Sequence, residues 1–209
     1  MLGTLMIISA VLLCVHNVKQ SKDAGTFSES IVEKLKKEIP DTTDAVSQDN
    51  IDNNAEDLFA EYEADKPNEQ PINSIVIDDA SYCGYLSLPS LGLELPVMTD
   101  WSYPDLQRSP CRYSGSAESR DLIIAAHNDN THFGRRGDLA TGDEIIFTDT
   151  LGNRYFYSVS YMEMIEGKDV EQMFSGQSED WDLTLFTCTL SGQSRVTIRA
   201  DLNTDQEDN

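Results

Sequence analysis

From Ile75 to Leu202 the chain is a succession of short runs in which apolar and polar residues alternate, separated by Gly, Pro, Asn and Asp. Alternation with a period of two is typical of β-strands that bury one face. Many strands at short spacing, with little room for helices, predict a mostly β fold, either a sandwich or a closed barrel. The candidate strands are Gly84–Leu88, Leu93–Val97, Leu122–Ala126, Glu144–Thr148, Tyr155–Tyr161, Thr184–Thr187 and Arg195–Ala200.

Three of these runs end or begin at a residue that can do chemistry. The run 183–188 places Cys188 at the carboxyl end of a strand, His127 follows the apolar run 122–126, and Arg195 opens the last strand. A cysteine becomes a nucleophile when a neighbouring imidazolium or guanidinium stabilises its thiolate. The alternative interpretations are an inert core thiol, a buried histidine and a surface arginine.

Two of the three roles have a competing residue. His132 is the other histidine in this half of the chain, but it lies in a loop, whereas an apolar strand fixes the backbone of His127. We therefore predict that His127 is the general acid and base. Arg199 lies on the same strand face as Arg195, four residues further along, and is the second choice for the cation.

The segment 183–188, L-T-L-F-T-C, resembles the T-L-x-T-C signature of the sortases, the surface transpeptidases of Gram-positive bacteria. The order His, Cys, Arg is also similar to theirs. Upstream similarities lie in Y-C-G-Y-L-S-L-P, L-P-V, A-H-N with H-F-G, and G-D-E-I-I-F, at residues 82–89, 95–97, 126–128, 132–134 and 142–147. The resemblance covers about residues 75–202.

The resemblance implies a closed eight-stranded β-barrel with short helices and a cysteine transpeptidase that needs no cofactor. Cys188 would be the nucleophile and His127 the acid and base. Arg195 would hydrogen-bond the oxyanion or orient the substrate backbone, and Thr187 and Asn128 are expected to contact substrate. The expected substrate is a surface protein with a C-terminal Leu-Pro-x-Thr-Gly-like motif, and the expected acceptor is an amine of a peptidoglycan precursor or a pilin.

Two other functions remain open from the sequence: a cysteine protease that only hydrolyses, and an inactive barrel that binds surface peptides. The short turn between Cys188 and Arg195, with no evident lid or C-terminal anchor, favours a class B-like or class D-like sortase over the pilus class C. In sortases the connection that holds 169–174 lies beside the substrate groove, and we expect one helical turn there.

Composition limits the partners. The chain of 209 residues carries 37 acidic and 15 basic residues, a net charge of −22, which excludes a generic nucleic-acid binder because phosphate recognition needs clustered Lys and Arg. The four cysteines form no C-x-x-C pair, so a zinc site is not expected. Cys83 and Cys111 are either a disulfide or, as we favour, two buried thiols.

Some sortases bind calcium through acidic residues. The spacing of the acidic candidates matches no calcium-binding loop, and no metal site is predicted. The candidates are Asp138, Asp143, Glu144 and Glu163.

The N-terminal part of the chain predicts a tether. Residues 1–18 are expected to form a signal anchor or transmembrane segment, although the apolar stretch of about fourteen residues is short for a span and Lys19 and Lys22 oppose export. Residues 19–73 should hold a short helix at Thr26–Pro40 and an acidic linker, followed by the catalytic barrel at 74–202 and a polar tail at 203–209. The catalytic domain is thus expected outside the cell membrane.

Overall fold

The computed structural model describes Val11 and residues 25–40, 72–129, 131–166, 169–174, 181–189 and 193–203. The predicted anchor at 1–18, apart from Val11, lies outside the described residues, as do most of the acidic linker and the tail after residue 203. Within the described residues, no helix has both the length and the apolar character needed to cross a bilayer.

Nine strands in the described part of the chain form one sheet. The helical elements are α1 at residues 25–38, α2 (Tyr103–Leu106) and 3-10 helices at Pro89–Leu91, Phe133–Asp138 and Val170–Met173. The strands are β1 (Ile75–Ile77), β2 (Ala80–Leu88), β3 (Leu93–Met98), β4 (Cys111–Ser114), β5 (Leu122–Ala125), β6 (Glu144–Asp149), β7 (Arg154–Glu166), β8 (Leu183–Cys188) and β9 (Ser194–Leu202).

Eight of these strands close into a barrel. The sheet order is β1-β2-β3-β4-β5-β8-β9-β7-β6, and β2 also pairs with β6 from Gly84↔Asp149 to Ser87↔Ile146. The short β1 pairs with the N-terminal half of β2 and stays outside the ring. The predicted closed eight-stranded barrel is therefore confirmed, while β1 and β4 are strands that the sequence pattern did not predict.

The barrel interior is filled by alternate residues of each strand. Leu122 and Ile124 of β5, Leu183 and Leu185 of β8, and Ile198 of β9 are at most 1% exposed and belong to one apolar cluster. The intervening residues point outward, and several of these are also covered, because helices and loops pack on the outer face. Strands buried on both faces read as continuous apolar runs rather than alternating ones.

Helix α1 covers part of the outer face of the barrel. Ile31 and Leu35 are buried against Tyr82, Met98 and Cys111 of β2, β3 and β4, and Lys36 pairs with Glu94 at 2.6 Å. The predicted helix at Thr26–Pro40 is thus present at residues 25–38. Cys83 and Cys111 are buried free thiols, in agreement with the favoured interpretation.

Candidate active site

The three candidate catalytic residues lie on, or two residues after, three adjacent strands. In the parallel pair β5–β8, Ala125 is opposite Phe186, and the Ala126 amide donates to the Phe186 carbonyl at 3.0 Å. Continuing this register by two residues brings His127 level with Cys188. In the antiparallel pair β8–β9, Cys188 is opposite Arg195. Because neighbouring strands are about 4.8 Å apart, the three residues form one short row across the sheet.

Alternation along the strands places the row on the outer face. Leu185 points into the barrel, whereas Phe186 contacts the outer cluster, so Cys188 points outward and is exposed. Ala125 packs in the outer cluster, so the exposed His127, two residues later, also points outward. Ile198 points inward, so Arg195, three residues earlier, points outward. All three side chains therefore share one face and one rim of the barrel.

Backbone hydrogen bonds hold both sides of this rim. The Thr189 amide donates to the Ser194 carbonyl at 2.8 Å, and the Ser194 amide donates to Thr189 Oγ1 at 3.3 Å, next to the Cys188–Arg195 pair. On the other side, the Phe133 amide donates to the His127 carbonyl at 3.2 Å. Strand pairing therefore positions Cys188 and Arg195, while His127 follows β5 by two residues and is held through its carbonyl.

His132 lies in the interior instead of at the rim. It is fully buried, and neither ring nitrogen has a hydrogen-bond partner among the described residues, although Nδ1 is 3.6 Å from Asp129 Oδ2. Burial lowers the pKa of His132 and outweighs the opposite effect of Asp129, while nearby His127 lowers it further. This neutral, buried imidazole is not accessible to a substrate, whereas His127 is exposed.

Arg199 is also buried, but on the outer face of the barrel, where it contacts the β7–β8 connection. Its side chain is 0% exposed, and its row, opposite Thr184, is four residues from that of Cys188, about 13 Å along the strand. Its guanidinium is engaged by protein groups, among them Glu163 at 2.9 Å. Arg195, which is partly exposed and opposite Cys188, is the arginine next to the thiol.

The two expected substrate-binding residues have different surroundings. Thr187 is 1% exposed and faces the barrel interior, where its Oγ1 has no hydrogen-bond partner among the described residues. Asn128 is partly buried, and its Oδ1 accepts a hydrogen bond from Arg136 Nη1 at 2.8 Å. The Thr187 side chain thus faces away from the row of candidate catalytic residues, and its backbone pairs with Val196 of β9. The contact of Thr187 and Asn128 with substrate stays a prediction.

An aromatic surface that the sequence did not reveal borders the row. The Tyr113 ring meets Phe186 edge-on at 5.4 Å and Trp101 at 6.0 Å, over Ile123 and Ala125 of β5. The sequence between Trp101 and Tyr113 has no alternation of apolar and polar residues, so it did not indicate that these two rings lie near Phe186. Because Phe186 is two residues before Cys188 on the same face, this apolar surface leads directly to the thiol.

No group of three or more His, Cys, Asp or Glu side chains in the described residues is arranged to hold a metal ion. Two of the acidic calcium candidates pair with arginines, Asp138 with Arg135 at 3.2 Å and Glu163 with Arg199 at 2.9 Å.

Comparison with known proteins places these features in a family. A family model described as the sortase domain matches residues 86–203, more than half of the chain. Sortase D of Bacillus subtilis (strain 168) is 28% identical over 108 residues, which cover 50% of this chain and 53% of that protein, so the chain matches about half the length of this curated relative.

Solved structures show the same fold. Sortase C1 from Streptococcus agalactiae has a TM-score of 0.52 at 24% identity, covering 61% of this chain and 70% of that one. A Clostridium perfringens sortase D5 transpeptidase has a TM-score of 0.52 at 20% identity, covering 58% and 79%. From the domain match and the barrel, the chain belongs to the sortase family.

Proposed function

We propose that this chain is a cysteine transpeptidase that cleaves a Leu-Pro-x-Thr-Gly-like sorting motif between Thr and Gly and transfers the acyl part to a primary amine. The observation that supports this best is the single outward-facing row of Cys188, His127 and Arg195 at one rim of the barrel. A nucleophile, a proton carrier and a fixed positive charge on adjacent strands satisfy the geometric needs of acyl transfer.

The first half-reaction forms a thioester. The Cys188 thiolate attacks the threonine carbonyl carbon, and the oxygen of the tetrahedral intermediate takes the negative charge. The C–N bond then breaks, and His127, acting as general acid, gives its proton to the departing glycine nitrogen. In the second half-reaction His127 takes a proton from the incoming amine, whose nitrogen attacks the thioester and releases the Cys188 thiolate.

Arg195 carries a fixed positive charge and a planar set of N–H donors. From its position opposite Cys188, it is suited to hydrogen-bond the developing oxyanion or the peptide backbone next to the scissile bond. Its contribution is expected in the transition state more than in ground-state binding, so an Arg195 variant should lose kcat.

The partners follow from the same proposal. The substrates are surface proteins with a C-terminal sorting signal, and the acceptor is an amine of a peptidoglycan precursor or a pilin. The domain works outside the cell, tethered to the membrane through the N-terminal segment. The similarity to a protein called sortase D favours a class D-like enzyme over a class B-like one.

The test is a fluorogenic library of Leu-Pro-x-Thr-Gly-type peptides with and without triglycine. We expect cleavage, a thioacyl adduct on Cys188 detected by mass spectrometry, and ligated product when triglycine is present. Cys188→Ala should abolish all three. Cys111→Ala is the matched control, because burial raises the pKa of Cys111 to about 12 and keeps that thiol unreactive.

Three results would contradict the proposal. Cleavage that yields only free acid at high triglycine would identify a cysteine protease instead of a transpeptidase. A Cys188 that iodoacetamide alkylates slowly, together with peptide binding but no adduct, would identify an inactive peptide-binding barrel. Full turnover by Cys188→Ala would reject the assignment of the nucleophile.

A further inference from the structure

Arg199 joins four parts of the fold around one buried guanidinium. Its Nε lies 2.9 Å from Glu163 Oε1 of β7, and Nη1 donates to Thr184 Oγ1 of β8 at 2.6 Å. Nη1 also donates to the Met173 carbonyl at 3.1 Å, and Nη2 donates to the Gln172 carbonyl, both at the end of the 3-10 helix Val170–Met173.

An aromatic ring completes the environment of this arginine. The Trp181 ring, just before β8, lies 4.1 Å from the guanidinium carbon. A buried cation is costly unless it is paired and its N–H groups are satisfied. The arrangement meets that requirement with backbone carbonyls of the β7–β8 connection, so Arg199 fixes this connection at both of its described ends.

The 3-10 helix held in this way lies beside the row of candidate catalytic residues. Met173 is 1% exposed and packs in the outer cluster with Ile165 of β7 and Phe186 of β8. The neighbouring Phe174 ring is 6.3 Å from Tyr113 on the opposite side of the same surface. Phe186 lies about 7 Å from Cys188 along the strand and on the same face, so the helix packs against the residue that leads to the thiol.

We propose that Arg199 is a positioning residue for the substrate peptide. It holds the Gln172–Met173 end of the 3-10 helix against Phe186, and this wall sets the width of the surface that a peptide crosses to reach Cys188. The inference rests on the proposed function. Removing hydrogen bonds of Arg199 should therefore weaken peptide binding. The reactivity of the Cys188 thiol should stay unchanged, because Arg199 is about 13 Å from Cys188 along the strand.

The first variant is Arg199→Lys, which keeps the charge but cannot reproduce a planar set of donors to several acceptors. We expect KM for the best library peptide to rise about tenfold or more, because small displacements of a positioning element are costly, with kcat within about twofold. The rate of Cys188 alkylation by iodoacetamide should not change. Amide hydrogen exchange at residues 169–174 should become faster, and exchange in β8 and β9 should not.

A gentler pair of variants keeps the test decisive if the lysine variant fails to fold. Thr184→Val removes the 2.6 Å hydrogen bond to Arg199 Nη1 with little change of shape, and should raise KM and helix exchange in the same direction by a smaller factor. Thr197→Val is the matched control, since Thr197 is also buried on the outer face but its Oγ1 binds the Glu163 carbonyl instead of Arg199. It should leave both quantities unchanged.

The outcomes separate the two proposals. Equal KM values for the wild type, Arg199→Lys and Thr184→Val would overturn the role of Arg199 and leave the transpeptidase intact. A fall in alkylation rate that matches the fall in kcat/KM would also overturn it, because the arginine would then act on the thiol. A wild type that processes no peptide would instead reject the proposed function itself.

Discussion

Two buried arginines of this barrel, and the partly buried Asp129, anchor loops. Arg112, 5% exposed, donates from Nε to the Thr99 carbonyl at 2.9 Å and from Nη1 to the Gly115 carbonyl at 3.2 Å, as Arg199 does to the β7–β8 connection. Asp129 accepts from the Thr131 and His132 amides at 2.8 and 3.0 Å in the loop after His127. The loops around the candidate site are thus held by satisfied polar contacts.

His132 gives the first prediction, a dependence of stability on pH. Its pKa in the unfolded chain is near the ordinary 6.5, and in the folded protein it is lower because of burial. Between these two pKa values the unfolded state binds more protons than the folded state. The free energy of unfolding therefore decreases as pH falls below about 6.5, by about 1.4 kcal/mol for each pH unit, until the pKa of the folded protein is reached. His132→Leu should flatten this part of the curve.

The measurement is urea denaturation of the wild type and His132→Leu between pH 8 and pH 5. Acidic groups such as Asp129, and the exposed His127, are present in both proteins, so the difference between the two curves isolates His132. Parallel curves over this range would show that the folded protein protonates His132 as readily as the unfolded chain.

At the residue scale, the positions of the candidate catalytic residues were predictable, and it is burial in the folded protein that separates them from His132 and Arg199. Cys188, His127 and Arg195 follow from strand ends and from the T-L-x-T-C resemblance, which are local features of sequence. The burial of Arg199 depends on contacts with Trp181 and Glu163, and the burial of His132 depends on contacts with residues distant in sequence or in its own loop, such as Asp129. Such contacts leave no periodic pattern in the chain.

At the scale of elements, helix α1 is an integral part of the outer layer. It presents Ile31 and Leu35 to three strands and carries Lys34 and Lys36 toward Asp78 and Glu94. Apolar burial of this kind contributes far more to stability than exposed ion pairs do. The helix should therefore unfold together with the barrel.

This yields the second prediction. Leu35→Ala removes a side chain that is 0% exposed and should lower the free energy of unfolding by about 2–5 kcal/mol through lost transfer energy and a residual cavity. Lys34→Ala, one residue away, breaks only an exposed pair with Asp78 and should cost less than about 1 kcal/mol. Equilibrium urea denaturation followed by tryptophan fluorescence measures both. A separate early transition of the helix, or equal losses, would contradict this view.

The elements that sequence reasoning missed have clear physical causes. β4 carries Arg112 in a sequence of four residues, and a buried arginine satisfied by distant carbonyls cannot be recognised from alternation. β1 is three residues long, and its place depends on pairing with Ser81 and its neighbours in β2 and on the packing of Ile77 in the outer cluster that helix α1 covers. Longer runs such as Leu183–Cys188 were predictable because the period-two alternation of strands is visible within each run.

At the scale of the whole molecule, stability and site geometry both depend on closure of the barrel. The β2–β6 pairing removes the two free edges that an open eight-stranded sheet would have. The row of Cys188, His127 and Arg195 lies on strands β5, β8 and β9, held at both sides by the rest of the ring. Closure could be expected from the family resemblance, but alternation alone did not distinguish a barrel from a sandwich.

The seam itself gives the third prediction. Gly84 lies where β2 meets β6, at φ +153°, and a Cβ there would lie 2.1 Å from the Thr148 carbonyl oxygen and 3.0 Å from Asp149 Cα. Gly84→Ala must therefore strain the backbone and push the two strands apart, each at about 1–3 kcal/mol, so we expect a loss of roughly 3 kcal/mol or more. Gly92→Ala is the control, since Gly92 also has a positive φ, +62°, but no atom within 4 Å of the added Cβ, and should cost only about 1–2 kcal/mol.

Urea denaturation gives both values, and because an opened seam exposes unpaired strand edges, Gly84→Ala should also aggregate more readily in light scattering. Equal losses of unfolding free energy in the two variants would mean that β2 and β6 can separate at little cost and that stability does not depend on this pairing.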